Sequence, residues 1–111
     1  MATVANIFID QGADYSNIIT VGSSSGAPLN LTGYSVASQI RKSFSSSISY
    51  NFTASIFSAS EGKVRLQLSA SSSGAIPPGR YLYDVEITSP SGTKTRVVEG
   101  IVTVNPEITQ I

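Results

Sequence analysis

Two stretches of the chain alternate apolar and polar residues without a break, and this alternation limits the fold more than any other feature. In Arg80-Tyr-Leu-Tyr-Asp-Val-Glu-Ile-Thr88, Tyr81, Tyr83, Val85 and Ile87 share one face. Arg80, Asp84, Glu86 and Thr88 share the other, with Leu82. Gly62-Lys-Val-Arg-Leu-Gln-Leu-Ser69 sets Val64, Leu66 and Leu68 against Lys63, Arg65 and Gln67. Side chains of a strand point alternately to opposite sides, so period two marks a strand with one buried and one wet face. Nowhere does a 3.6-residue apolar period persist beyond eight residues. The chain is therefore built from strands.

Weaker runs follow the same rule. Asn6–Asp10 sets Ile7 and Ile9 against Phe8, and Tyr15–Val21 carries Ile18, Ile19 and Val21. Tyr34–Lys42 aligns Tyr34, Val36, Ser38 and Ile40. Ser49–Ser58 aligns Phe52, Ala54 and Ile56. Thr93–Val104 carries Val98, Val102 and Val104 on one side and Val97 and Ile101 on the other. Gly100 inside that run predicts a bulge or a close backbone contact. Turn residues separate the runs: Gln11-Gly12, Ser25-Gly26-Ala27-Pro28, Thr32-Gly33, Glu61-Gly62, Pro77-Pro78-Gly79 and Ser89-Pro-Ser-Gly92. The last makes residues 80–104 a hairpin. Ser69–Ile76 has room for one helical turn, stopped before Pro77.

Seven short strands in 111 residues predict a single all-β domain, an immunoglobulin-like β-sandwich of about seven antiparallel strands. Residues 1–5 and 105–111 read as short arms outside it. The Cys…Trp…Cys signature of antibody domains is missing, and a barrel is the alternative architecture. A chain of this size can bury enough surface for one core without staples.

The residue inventory narrows function. The chain has no Cys, His or Trp, and seven basic residues balance seven acidic ones. Disulfides, thiolate metal sites and His-based catalysis are excluded. A nucleic-acid partner held by net positive charge is not expected. No apolar run approaches the roughly 20 residues of a membrane helix, and the opening Met1–Gly12 lacks the pattern of a signal peptide. Charged residues make up 13%, about half the usual share of roughly 25%. Ser and Thr replace them, with Ser runs at 23–25, 45–47 and 71–73. A neutral hydroxyl surface resists association weakly and suits a subunit packed among others, and equally a soluble secreted-type β domain.

Isolated candidate sites resolve into ordinary roles. Asp84 and Glu86 share a strand face about 7 Å apart, a spacing a glycosidase can use. Cross-strand pairing with Arg41 or Arg96 is the simpler expectation. Asp10 and Asp14 flank a turn but are too few for calcium. Asn30-Leu-Thr32 and Asn51-Phe-Thr53 match the glycosylation pattern. Tyr81 and Tyr83 belong to the core, with hydroxyls at its rim; Tyr15, Tyr34 and Tyr50 stay open as members of a sugar platform. Arg41, Lys42, Arg65, Arg80 and Arg96 read as ion-pair partners. No assembled set of acid, base, nucleophile or metal ligands points to an enzyme, and no cofactor is expected.

Three segments resemble a known family. Asn30-Leu-Thr-Gly-Tyr-Ser-Val36 with Gln39-Ile-Arg41 resembles the LTGY…IR strand opening of small phage tail and baseplate domains. Ile76-Pro-Pro-Gly-Arg-Tyr-Leu-Tyr-Asp-Val-Glu-Ile87 is similar to their IPPGxYxYDVxI segment. Ser89-Pro-Ser-Gly92 with Val98-Glu-Gly-Ile-Val-Thr-Val104 and Asn105-Pro-Glu-Ile-Thr109 resembles their terminal hairpin. The group is the N-terminal domain of phage baseplate upper proteins, and the likeness runs from about Ile7 to Thr109. Unlike those proteins, this sequence stops at Ile111 instead of continuing into further domains.

The resemblance implies a non-enzymatic virion structural protein of a tailed bacteriophage, made in the host cytoplasm and assembled in the tail or baseplate. Its partners would be other virion proteins and copies of itself, without nucleic acid, membrane or small-molecule substrate. Expected contact segments are Thr3, Val4, Ala5, Asn6 and Ile7, and Asn105, Pro106, Glu107, Ile108, Thr109, Gln110 and Ile111. The alternatives are a capsid decoration protein and a carbohydrate-binding or adhesin module.

Overall fold

The two alternating stretches form the centre of two different sheets. The structure, a computed structural model, describes residues 3–22, 26–43 and 45–108. Its elements are β1 (Thr3–Val4), β2 (Ile7–Asp10), β3 (Tyr15–Thr20), β4 (Ser35–Arg41), β5 (Ser49–Asn51), β6 (Thr53–Ser58), β7 (Lys63–Leu68), α1 (Ala70–Gly74), β8 (Gly79–Thr88) and β9 (Lys94–Asn105). One sheet runs β1-β9-β8-β4-β5, with β2 also on β9; the other runs β3-β7-β6. Among the described residues, nine strands in two packed sheets make an all-β sandwich. The orders β3-β7-β6 and β4-β8-β9 match the B-E-D and C-F-G strands of an immunoglobulin-like domain.

The core lies between the inner faces. Val64, Leu66 and Leu68 of β7 face Tyr81, Tyr83, Val85 and Ile87 of β8, all at most 6% exposed. Ile7, Ile9, Ile40, Val98, Val102 and Val104 join them, with Val21, Leu31, Phe52 and Ile76. At one end the aromatic rings cluster. Phe52 stands 5.8 Å from Tyr15 and 6.1 Å from Tyr83, and Tyr50 meets Tyr81 edge-on at 6.2 Å. Such pairs add attraction beyond the area they bury.

The structure corrects the expected strand plan in three places. The run Ser49–Ser58 is two strands in different sheets. The chain crosses at Phe52, whose amide donates to the Ser38 carbonyl at 3.1 Å. The crossing keeps the even-numbered side chains facing the core, so alternation never breaks. Second, the described residues hold nine strands, because that split adds one and residues 3–10 contribute two instead of one. Third, β1 and β2 lie parallel to β9, with Thr3 opposite Val98 and Ile7 opposite Val102. An all-antiparallel domain does not describe them.

Local expectations agree with the structure. Residues 80–104 form the antiparallel β8–β9 hairpin, closed by the Gly92 amide on the Ser89 carbonyl at 2.9 Å. The short helix α1 is capped by Ser69, whose hydroxyl accepts from the Ser72 amide at 3.2 Å. Of the two possibilities at Gly100, close contact holds: a Cβ there would overlap the Ala5 carbonyl. The register shift falls nearby instead, where Val85 faces Val98 and Glu86 faces Arg96. No helix among the described residues is long and apolar enough to cross a membrane.

Candidate functional site

The outward face of β4, β8 and β9 carries Arg41, Asp84, Glu86, Arg96 and Glu99 and forms a groove of about 480 Å³. Cross-strand register stacks it in rows. Glu99 faces Asp84, which faces Gln39; Ile101 faces Leu82, which faces Arg41. Arg96 ties the carboxylates together, with Nε 3.1 Å from Asp84 Oδ2 and one terminal nitrogen 3.9 Å from Glu99 Oε1. Of the two expected partners, Arg96 therefore takes Asp84. Arg41 turns to the Ser46 carbonyl at 2.6 Å and Gln39 Oε1 at 3.0 Å. Glu86 lines the groove without an ion pair among the described residues. Both Asp84 and Arg96 are partly solvated, so their pair contributes at most about 1 kcal/mol.

The remaining sequence candidates occupy structural positions. Asp14 accepts from the Ala70 amide at 2.7 Å, and Asp10 accepts from Asn105 at 3.5 Å. No group of three His, Cys, Asp or Glu residues among those described is placed to hold a metal. Asn30 Oδ1 takes the Thr32 amide at 3.0 Å and its hydroxyl at 2.6 Å, shaping the turn that positions buried Leu31. Asn51 ends β5 just before the sheet crossing.

Tyr81 and Tyr83 are core residues with anchored hydroxyls. Tyr81 donates to the Pro77 carbonyl and Tyr83 to the Ala5 carbonyl. Burial pushes the Tyr83 phenol up to about 12, with Tyr15 adding to the rise. Burial also raises Tyr81, with Tyr50 second. For Tyr15, burial outweighs the lowering effect of a hydrogen bond to Asn17. Among the other cations, Lys42 lies over the Tyr81 ring at 4.8 Å and Arg65 over the Phe57 ring at 4.4 Å.

The expected contact segments divide. Thr3 and Val4 form β1, so this stretch is not a free arm. Ala5 accepts from Tyr83, and Asn6 Oδ1 receives the Ile101 amide at 3.1 Å. Ile7 is buried in the chain's own core. Asn105 closes β9 opposite Asp10, and the Glu107 amide donates to Gln11 Oε1 at 3.2 Å. Pro106 lies between them, outside any strand. Ile108 is 96% exposed. Thr109, Gln110 and Ile111 lie outside the described residues.

Two organising side chains carry no signal in the sequence pattern. Gln11 bridges the Ile76 carbonyl (3.2 Å) and the Glu107 amide. The buried Ser73 hydroxyl accepts from Gly12 at 3.1 Å and donates to Ala13 at 2.7 Å. Both act through distant backbone, which local pattern does not encode. The alternation of β2 turns Phe8 away from Ile7 and Ile9, and Phe8 is 70% exposed on the strand parallel to β9, as is Val4.

No family model matches the chain, and no curated protein matches it. Among solved structures, an internalin-like protein of Listeria monocytogenes is similar at 14% identity and a TM-score of 0.48, over 94% of this chain and 28% of that one. A family 123 glycoside hydrolase from Clostridium perfringens is similar at 10% identity and a TM-score of 0.44, over 97% of this chain and 24% of that one. The chain thus spans about a quarter of the length of each.

Proposed function

We propose that this chain is a non-catalytic structural protein of a tailed-phage virion, built into the tail or baseplate through protein–protein contacts. The observation that carries the proposal is the apolar display along the first edge of the large sheet and just past its last strand. Val4 and Phe8 are each 70% exposed and Ile108 is 96% exposed. Large apolar side chains left in water along one edge favour coverage by a partner. The ordered likeness of three segments to phage tail and baseplate domains supplies the class of partner. The short turns and the Gly33, Gly79 and Gly92 backbone bends suit a rigid block that presents edges.

The experiment is cryo-electron microscopy of the intact particle with the chain traced in the map. Density in the tail or baseplate, with Phe8 and Ile108 covered, is the expected result. Density on the head would move the chain to a capsid decoration role. A particle without the chain overturns the proposal. Phe8→Ser and Ile108→Ser leave folding intact and reduce incorporation; unchanged incorporation of both removes these residues from the interface.

A further inference from the structure

Among the described residues, no strand pairs with the outer edge of β3 in the small sheet. In a constant-type immunoglobulin domain the first strand lies beside the second and covers its outer side. Here β1 and β2 pair with β9 in the opposite sheet, and β3 is left with one neighbour, β7. Free strand edges are normally blunted by Lys, Pro, a bulge or shortness. The edge strand β6 carries an irregularity at Phe57, β5 has three residues, and β2 has four and ends in Asp10. In contrast, β3 runs six residues, Tyr-Ser-Asn-Ile-Ile-Thr, with no charge, no Pro and no register shift against β7.

The direction of its backbone groups is fixed by two hydrogen bonds. The Val21 amide, just past the strand, donates to Gly62 on the β7 side at 2.7 Å. The Ile18 amide instead takes a side-chain oxygen, Asn17 Oδ1, at 2.9 Å. Successive residues of a strand send their N–H and C=O groups to opposite sides. Odd-numbered residues of β3 therefore bond β7, while Ser16, Ile18 and Thr20 aim theirs at the free edge.

That edge is complementary to itself. A two-fold axis perpendicular to the sheet and passing beside Ile18 brings Ile18 opposite Ile18 of a second copy. It also brings Ser16 opposite Thr20. Each opposed pair is of the kind that exchanges both N–H···O=C bonds. Opposed side chains share a face, so the half-exposed Ile18 packs on its counterpart, flanked by two Ser–Thr pairs. We propose that β3 pairs with β3 of a second copy in this register and joins two small sheets into one of six strands. The pairing involves the sheet opposite to the Phe8–Ile108 display and does not rest on the virion assignment.

An edge of six residues buries little against the roughly 1,200–2,000 Å² of a stable complex. The dimer is accordingly weak in dilute solution and forms at high local concentration. Covalent trapping reads such a contact, and the chain has no cysteine of its own. Opposed Cα atoms in this register are about 5.5 Å apart, within the span of a disulfide. Residues four positions off are separated by about 13 Å of strand.

The test compares Ile18→Cys, Ser16→Cys and Thr20→Cys under mild oxidation. Ile18→Cys should form disulfide dimers at least tenfold faster than either of the others alone. An equal mixture of Ser16→Cys and Thr20→Cys should give the heterodimer at a rate near that of Ile18→Cys. Adding Asn17→Ala to Ile18→Cys frees the edge amide and should raise the rate several-fold. Equal rates for the three single variants, or no Ile18→Cys dimer at millimolar protein, overturn the proposal. Without any cysteine, Ile18→Pro removes the outward amide and keeps the bonds to β7. It should abolish concentration-dependent sedimentation, and an unchanged profile overturns the proposal as well.

Discussion

The two sheets finish their N-terminal-side edges in opposite ways. On the large sheet, the edge formed by β1 and β2 is fastened from inside the domain. Tyr83 reaches across to Ala5, Asn6 takes the Ile101 amide, and Gly100 leaves room for the Ala5 backbone to approach. On the small sheet, β3 has no such fastening among the described residues, and its outward amide at Ile18 is met by the neighbouring Asn17 side chain. The two edges also differ in burial: Ile7 and Ile9 of β2 are buried, whereas Tyr15 and Ile19 of β3 are half-buried and Asn17 is exposed. Burial and cross-strand polar contacts together tie the β1–β2 edge to the monomer, and β3 is held more lightly.

Perturbations can break this contrast, and their effects should be graded. Residues shared by both sheets should matter most. Phe52→Ala empties the crossing point and the centre of the aromatic cluster, and should cost about 3–5 kcal/mol, read as a lower urea midpoint at unchanged slope. A loss under about 1 kcal/mol would mean the two sheets are not joined there. Gly100→Ala comes next, at about 1–3 kcal/mol, because the new Cβ pushes on Ala5. Its signature is local: amide exchange should quicken across residues 7–10 and stay slow in β7.

Tyr83→Phe removes one fastening bond and should cost about 1 kcal/mol. It carries a pH signature too. The phenol sits at about 12 in the folded chain, against an ordinary value near 10. Between these values the unfolded chain binds fewer protons, so stability falls as pH rises from about 10 to about 12. Tyr83→Phe should flatten that fall; an identical slope would show that the phenol titrates normally. The smallest effect belongs to the bare edge. Ile18→Ser should shift monomer stability by about 0.5 kcal/mol or less, measured in dilute solution. A larger loss would mean that β3 is fastened after all.

What the sequence discloses follows from how far each interaction reaches. The inner faces of β7 and β8 are plain in their alternation because burial imposes itself residue by residue. The Ser69 cap and the Ser89–Gly92 turn are local and equally plain. The crossing at Phe52 is hidden, since both sheets face the same core and the chain changes sheet without changing sides. The parallel pairing of Ile7 with Val102 joins residues far apart in sequence, so no window contains it. Half of the charged face was foreseeable: Arg96 beside Asp84 follows from the hairpin. The turning away of Arg41 does not, because it depends on the Ser46 carbonyl brought back by the loop before β5. The fastening by Tyr83 and Asn6 and the bridging by Gln11 depend on partners that only the folded chain brings near.

Parallel pairing of β1 and β2 with β9 also sets how the domain carries a load. The chain enters β1 opposite Val98 and leaves β9 beside Asp10, at the other end of the ladder. Tension applied through these two ends pulls neighbouring strands in opposite directions along their length. The backbone bonds between them are then stretched side by side, all at once, rather than peeled one after another. A part held at both ends under strain would yield late and abruptly, while a pull across the β8–β9 turn would open the same sheet bond by bond.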